Sequence, residues 1–249
     1  MEALLNSLGL SVTGFTVVAA MVFLGALVQG SVGFGLNLLA VPAIASFRPD
    51  VLPAAGIFLA LPMTLGSALR EREHIDVAAV GWTTVGRLPG VAVGASVVSA
   101  LSPEALSVLI GSIVFVAVLM SVWAPGIPVN RVSEVFAGLL GGLMGTASSI
   151  GGPPIALLYQ RAPGPMVRST LGATFLVGAA FSLSALALFG EVQAIHGLFG
   201  LAMFVPVLLG LFASRALHGW MDRGWLRPCV LAFAGLSGLA VIARGLVSF

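Results

Sequence analysis

Long apolar segments, separated by few charges, constrain this chain more than any other feature. Only 8% of its 249 residues are charged and 59% are hydrophobic, whereas soluble domains carry about 25% charged residues. A bilayer core takes about 20 apolar residues per helix. On that measure the sequence divides into ten segments, near residues 8–29, 34–47, 51–69, 77–100, 103–123, 132–147, 150–160, 166–189, 193–218 and 226–247. The sequence therefore predicts an all-α polytopic membrane protein with about 8–10 membrane segments.

Two of these segments, 34–47 and 150–160, are too short to span a bilayer comfortably. Each follows a Gly/Ser-rich break, GSVGFG at 30–35 and GTASSIGG at 145–152. Non-helical backbone at membrane depth is tolerated only where it is buried in protein or lines a wet cavity. We therefore interpret the two segments as short broken helices or re-entrant hairpins, and the sequence leaves open which of the two they are.

The two breaks lie 116 residues apart, and other features recur at the same spacing. The order of long segment, break, short segment, loop and three long segments is repeated. Seven identities follow the same offset: Leu24, Gly25, Leu27, Gly35, Ala40, Val51 and Gly56 match Leu140, Gly141, Leu143, Gly151, Ala156, Val167 and Gly172. We predict two membrane repeats, 1–126 and 130–249, joined near APGIPVN (124–130).

The arginines predict how the chain is oriented. When the loops are assigned to alternate sides, eight arginines fall on one side and two on the other. Positive loops face the cytoplasm, so both termini are expected outside the cell and the second repeat is inverted relative to the first. The larger group is Arg70, Arg72, Arg131, Arg161, Arg168, Arg215, Arg223 and Arg227, and the smaller group is Arg48 and Arg244.

The residues of the two breaks are suited to an anion. Pro153 and Pro154 favour a helix start, and the free N–H groups of such a start carry partial positive charge. Inversion of the repeats brings the two breaks together near the middle of the membrane. We expect a central substrate site lined by Ser31, Gly33, Gly35 and Asn37 from the first break and by Thr146, Ser148, Ser149, Gly151 and Gly152 from the second. The alternative is that these small residues only allow close helix packing.

Two arginines are further candidates for the site. Arg87 lies near the centre of segment 77–100, where an arginine is costly and normally faces a cavity or a partner. No carboxylate lies at a matching depth in the sequence, so we expect Arg87 to contact substrate. The alternatives are a snorkelling side chain or bonds to carbonyls freed by Pro89. Arg168 is either a site residue or an orientation charge.

Other small residues fit close helix packing alone. Gly86, Gly90 and Gly94 lie four apart on one helix face, and Gly138 and Gly142 repeat that spacing.

Catalysis, metal binding and nucleic-acid binding have little support in the sequence. It contains no paired carboxylates, His-rich metal spacing, nucleophile elbow, phosphate loop or basic cluster, and Cys229 is the single cysteine. We therefore expect a protein that is not an enzyme and needs no cofactor or metal.

The break sequences resemble the paired signatures of a known family. GALVQGSVGFGLNLLAVPAI (25–44) and GGLMGTASSIGGPPIALLY (141–159), with VRST (167–170) and PVLLGLFASRAL (206–217), are similar to motifs of the TauE/SafE family of sulfite exporters. The resemblance implies a duplicated membrane transporter that exports sulfite, a sulfonate or a related organic anion. Where the family often carries longer glycine runs, this chain has GFGLN and GGPP, so the pocket shape is expected to differ.

The leading hypothesis is export of a small anion, sulfite or an organosulfonate, across a bacterial-type inner membrane. The alternatives are export of another small organic acid or metabolite, a membrane scaffold whose polar breaks bind a partner helix, and, less favoured, a membrane-embedded enzyme. The partners implied are the small anion and the lipid bilayer, and a homodimer is left open.

The predicted topology is testable by cysteine labelling in a background without Cys229. Cysteines introduced at positions 72 and 220 are expected to react only with reagents that reach the cytoplasm, because the Arg-rich loops are retained there. Labelling of both positions from the periplasmic side alone would show that the orientation is reversed.

Overall fold

The computed structural model describes the backbone of residues 2–122, 127–221 and 226–247, and the side chains of these residues except at 216–221, 226–230, 233 and 244–247. Residues 124–126 of the predicted linker and Arg223 lie outside these ranges. The side chains of Arg227 and Arg244 also lie outside the described part of the chain. The structure therefore describes the side chains of seven of the ten arginines used to predict the orientation.

The described residues form helices and no strands. The helices are α1 Glu2–Leu8, α2 Val12–Val32, α3 Leu36–Phe47, α4 Ala54–Arg70, α5 Val77–Ala100, α6 Pro103–Val122, α7 Arg131–Ser148, α8 Gly152–Tyr159, α9 Gly164–Leu188, α10 Ala194–Ala202, α11 Phe204–Met221 and α12 Leu226–Val247. Short 3₁₀ turns cover Pro49–Val51 and Arg72–His74. The all-helical fold class of a polytopic membrane protein is confirmed.

By length and composition alone, three of the described helices could each cross a membrane: α2, α6 and α9. The pair α10 and α11 adds a fourth if it counts as one span. The helices α3 and α4 are apolar but shorter than this test requires. Helix α5 is long enough but carries Arg87 and is not among the candidates.

The predicted segments correspond closely to the helices, with two differences. The first segment, 8–29, corresponds to α2, and an additional helix, α1, precedes it and is separated from it by a turn at Gly9. The ninth segment is divided into α10 and α11, which are bent by 42°. Pro206 explains this bend, because it has no N–H to donate to the carbonyl of Ala202.

Side chains at the helix starts explain where several helices begin. Ser11 accepts a hydrogen bond from the N–H of Gly14 at the start of α2. Asp76 does the same for Ala79 at the start of α5. Asn130 and Ser133 form a reciprocal capping box at the start of α7. Each cap satisfies an N–H group that has no partner inside its helix.

Four helix pairs make the most extensive contacts in the described part of the chain: α5 with α7, α2 with α11, α6 with α12, and α4 with α9. The pair α5–α7 is packed through glycines, as the spacing predicts. A Cβ at Gly86 or Gly90 would overlap backbone of α7, and a Cβ at Gly138 or Gly142 would overlap backbone of α5. The two helices therefore lie close together only because these positions lack side chains.

This packing predicts opposite effects for two Gly→Ala substitutions on α5. Gly90→Ala should destabilise the protein by about 1–3 kcal/mol, because its Cβ would meet Leu139 and Leu143 of α7. Gly81→Ala is the matched control, since nothing lies within 4 Å of its Cβ. It should be neutral or stabilising by up to about 1 kcal/mol through helix propensity. Thermal unfolding of both variants in detergent measures this, and equal melting temperatures would contradict the packing.

Candidate functional site

Both breaks end one helix with a left-handed residue and start a short helix directly afterwards. In the first break the N–H of Gly33 (φ 98°) donates to Gln29 O, and Gly35 (φ 132°) precedes α3. In the second break the N–H of Ser149 (φ 65°) donates to Gly145 O, and Gly151 precedes α8. A left-handed residue closes a helix end by bonding its orphan carbonyls. The break sequences therefore stop α2 and α7 and restart the chain as α3 and α8.

The two breaks contact each other through Asn37. Its amide nitrogen Nδ2 donates to Ser149 O at 2.8 Å and to Gly56 O at 3.1 Å. The hydroxyl of Ser149 donates in turn to Pro53 O at 2.6 Å. These bonds connect the start of α3, the second break and the start of α4 in one network.

The start of α3 has an additional side-chain partner. The carbonyl Oε1 of Gln29 accepts the N–H of Leu36 at 3.0 Å. Gln29 is 6% exposed and lies in the last turns of the apolar helix α2. The sequence analysis did not identify Gln29. A glutamine inside a largely apolar helix indicates a polar contact, so the residue could have been found from the sequence.

A cavity of about 70 Å³ lies where the breaks meet. It is several times larger than the roughly 10–15 Å³ that one water molecule needs, so it has room for a small ion. Its walls come from both breaks and from helices α2, α3, α4, α5, α7, α8 and α9. The lining residues are Gln29, Phe34, Gly35, Asn37, Leu38, Ile57, Ala60, Thr64, Arg87, Gly145, Ser149, Ile150, Gly151, Gly152, Pro153, Phe175, Ala179 and Ser182.

Arg87 lines this cavity, and two of its guanidinium nitrogens lack a partner in the described part of the chain. The residue is only 4% exposed, and its Nε and Nη1 atoms are buried with no hydrogen-bond partner among the described residues. Glycines make the room for it: a Cβ at Gly178 would overlap the guanidinium, and a Cβ at Gly145 would lie 3.1 Å from Nη2. None of the ion pairs in the described part of the chain involves Arg87.

Of the eleven predicted site residues, six line this cavity: Gly35, Asn37, Arg87, Ser149, Gly151 and Gly152. The other five are not part of its wall: Ser31, Gly33, Thr146, Ser148 and Arg168. Thr146 and Ser182 share a hydrogen bond of 2.8 Å, and the hydroxyl of Ser148 donates to Met144 O in its own helix. Substrate contact by any of the eleven residues stays a prediction.

A second cavity, of about 280 Å³, adjoins the first. Phe34 and Pro153 line both cavities and so form part of the wall between them. Ser31 and Arg168 line this larger cavity, together with Val32, Ser121, Ala156, Leu157, Gln160, Ala162, Gly164 and Val167.

Arg168 forms an ion pair with Glu71 that connects α9 to the end of α4. Its Nη2 lies 2.5 Å from Glu71 Oε1 and its Nε lies 3.0 Å from Oε2, a two-pronged contact. Nη1 also reaches Ser31 O at 3.5 Å. The residue therefore has a structural partner that the sequence analysis did not foresee.

The charge of Arg168 changes the titration of Glu71. Burial raises the pKa of Glu71, but the hydrogen bonds and charge of Arg168, with those of Arg70, outweigh burial. The net effect holds the pKa below its ordinary value of 4.5. The contribution of Glu71 to stability is therefore complete above pH 4.5 and is lost as the pH falls through the lower, folded pKa.

Glu71→Gln should consequently lower stability at neutral pH by about 1–2 kcal/mol and remove part of the loss on acidification. Thermal unfolding as a function of pH measures both effects. Glu73→Gln is the matched control, because Glu73 is exposed and close in sequence, and it should leave the profile unchanged. A profile for Glu71→Gln identical to that of the wild type would show that the ion pair does not stabilise the fold.

Comparison with known proteins places the chain in a family. The model of the sulfite exporter TauE/SafE family matches residues 17–241. A protein of Cupriavidus necator, described as a probable sulfite/organosulfonate exporter TauE, is 31% identical over 175 residues. That match covers 65% of this chain and 64% of the relative's length. No solved structure matches the chain. Because the family model covers most of the sequence, the chain belongs to the sulfite exporter TauE/SafE family.

Proposed function

We propose that this protein exports a small anion, sulfite or an organosulfonate, through the cavity between the two breaks. The observation that carries the proposal is Arg87, a buried cation whose Nε and Nη1 have no partner among the described residues, on the wall of a cavity large enough for a small anion. The name of the C. necator relative supports sulfur oxyanions as the substrate class.

An unpaired arginine in this position is costly unless something else compensates its charge. Removing a charge from water costs several kcal/mol, even after relaxation, and intramembrane arginines normally face a partner or a cavity. No Asp or Glu side chain lines the cavity in the described part of the chain. A bound anion supplies the missing negative charge, and the planar guanidinium is suited to a flat pair of oxygen atoms.

The short helices add to this positive field. Helices α3 and α8 both begin at the cavity, since Gly35 precedes the first and Gly151 precedes the second. Gln29 accepts the N–H of Leu36 in α3, and Pro153 and Pro154 of α8 have no N–H, so the two helix starts contribute mainly the partial positive charge of their dipoles. An anion in this cavity therefore lies near one full charge and two helix starts that attract it.

The pattern of helix contacts supports two repeats, 1–126 and 130–249, around this site. The 116-residue offset equates α2 with α7, α3 with α8, α4 with α9 and α5 with α10–α11, and α6 then corresponds to α12. When each helix is replaced by its counterpart in the other repeat, the contacting pair α5–α7 becomes α2–α11, and the pair α2–α3 becomes α7–α8. All four pairs are in contact. The contacting pairs α4–α9 and α6–α12 each consist of two counterparts, so the replacement leaves them unchanged. An inverted arrangement of these repeats is the transporter pattern that we propose.

The membrane potential is sufficient to drive such export. Moving one negative charge out of an inside-negative cell gains roughly 2.3 kcal/mol per 100 mV. At about 1.4 kcal/mol per decade this corresponds to a gradient of roughly 50-fold. The proposed mechanism therefore needs a fixed positive charge that offsets desolvation of the anion, and no proton relay.

Arg87→Gln tests the proposal in liposomes with an imposed potential. Flux of sulfite or an organosulfonate should fall roughly thirtyfold or more, since the loss of one partner of a buried charge pair costs about 2–5 kcal/mol. Arg87→Lys should recover only part, because a point charge replaces the planar fork. The melting temperature of Arg87→Gln should be unchanged or higher, since an uncompensated buried charge is removed.

The matched control is Arg131→Gln, because Arg131 is exposed and lies 5.2 Å over the ring of Trp82, away from the cavity. Its flux should equal that of the wild type. Normal flux in a folded Arg87→Gln variant contradicts the proposal. Flux that ignores voltage and follows only a pH gradient contradicts the potential-driven mechanism.

A further inference from the structure

Asn37 lines the same cavity and carries a buried hydrogen-bond acceptor whose orientation is fixed. Both hydrogens of its Nδ2 are used, one toward Ser149 O and one toward Gly56 O. Its Oδ1 atom is buried and has no hydrogen-bond partner among the described residues. The residue is 9% exposed and lines the cavity with Arg87.

The orientation of this amide follows from its partners. Rotating the amide by 180° would place Oδ1 against two carbonyl oxygens, which donate no hydrogen bond. Nδ2 must therefore face Ser149 O and Gly56 O. The two carbonyls come from different elements, so they hold the amide at two points and keep its oxygen in one place.

The residues that line the cavity thus combine the donors of Arg87 with an acceptor, Asn37 Oδ1, to which none of the described residues donates. A fully deprotonated oxyanion satisfies Arg87 but brings only lone pairs to Asn37 Oδ1. An anion that also carries one O–H or N–H group satisfies both residues. Burying a polar atom without a partner is costly, and sites built to bond a donor strongly reject analogues that lack it.

We propose that the site selects a singly charged anion that carries one hydrogen-bond donor. Asn37 recognises this donor by accepting its hydrogen bond at Oδ1. Hydrogensulfite fits this description, whereas the sulfite dianion and simple alkylsulfonates do not. The inference rests on the proposed function, since it assumes that the anion occupies the cavity beside Arg87.

Comparing the binding of two anions of equal charge and similar shape tests this inference separately from the proposed function. Sulfamate carries an amino group where methanesulfonate carries a methyl group, so they differ mainly in the presence of N–H donors. Titration calorimetry of the full chain in lipid nanodiscs should give at least about tenfold tighter binding of sulfamate. Asn37→Leu should reduce this ratio to about one, whatever its effect on absolute affinity.

The wild-type comparison decides the inference even if Asn37→Leu does not fold. Asn130→Ser is the control variant, because Asn130 caps α7 and does not line this cavity, and it should keep the ratio. Equal binding of the two anions by the wild type overturns the donor selection but leaves the proposed function standing. Failure of both anions to bind overturns the inference and counts against the proposed function. A preference that persists in folded Asn37→Leu also overturns the role of Asn37.

Discussion

A helix that stops inside a membrane leaves backbone N–H and C=O groups that hydrocarbon cannot satisfy. Here the ends of α2 and α7 are closed by left-handed residues, and the start of α3 is bonded to the second break. Asn37 supplies the contact, because its one side chain bonds carbonyls of both the second break and α4. The breaks therefore satisfy each other's polar groups in part, and the cavity is the space left where they meet.

The glycine packing of α5 against α7 places the charge at this point. A Cβ at Gly142 would overlap the backbone of Arg87, so the close contact of the two helices is made at the arginine itself. Gly145 and Gly178 then leave room for its guanidinium. The sequence analysis assigned Gly142 to helix packing and Arg87 to the substrate site. The structure connects the two roles, because the packing at Gly142 fixes the position of Arg87.

Much of this arrangement could be predicted from the sequence. The ten apolar segments, the two breaks and the glycine stripes follow from composition and spacing along one chain, and so does the isolation of Arg87, since no carboxylate lies at its depth. The orientation of each side chain, and therefore its hydrogen-bond partner, does not follow from composition and spacing. Ser148 satisfies its hydroxyl within its own helix, and Arg168 finds Glu71 on a helix end 97 residues away. The second pairing depends on a tertiary contact that helical periodicity alone does not encode, and periodicity also does not tell that the Ser148 hydroxyl bonds its own helix and does not line the cavity.

The wall between the two cavities shows how the break geometry bears on the proposed transport. Phe34 lies between two glycines with positive φ angles, Gly33 and Gly35, and a Cβ at Gly152 would approach it at 3.1 Å. The same few residues therefore end α2, start α3 and separate the larger cavity from the cavity of Arg87. At φ angles of 98° and 132° a residue with a Cβ is strained, so the backbone on both sides of this aromatic ring depends on glycine. Under the proposed function, an anion that moves from the larger cavity to Arg87 has to pass Phe34 and Pro153. The shared residues Phe34 and Pro153 belong to the two breaks, so the segments whose contact satisfies the backbone also form the wall between the cavities.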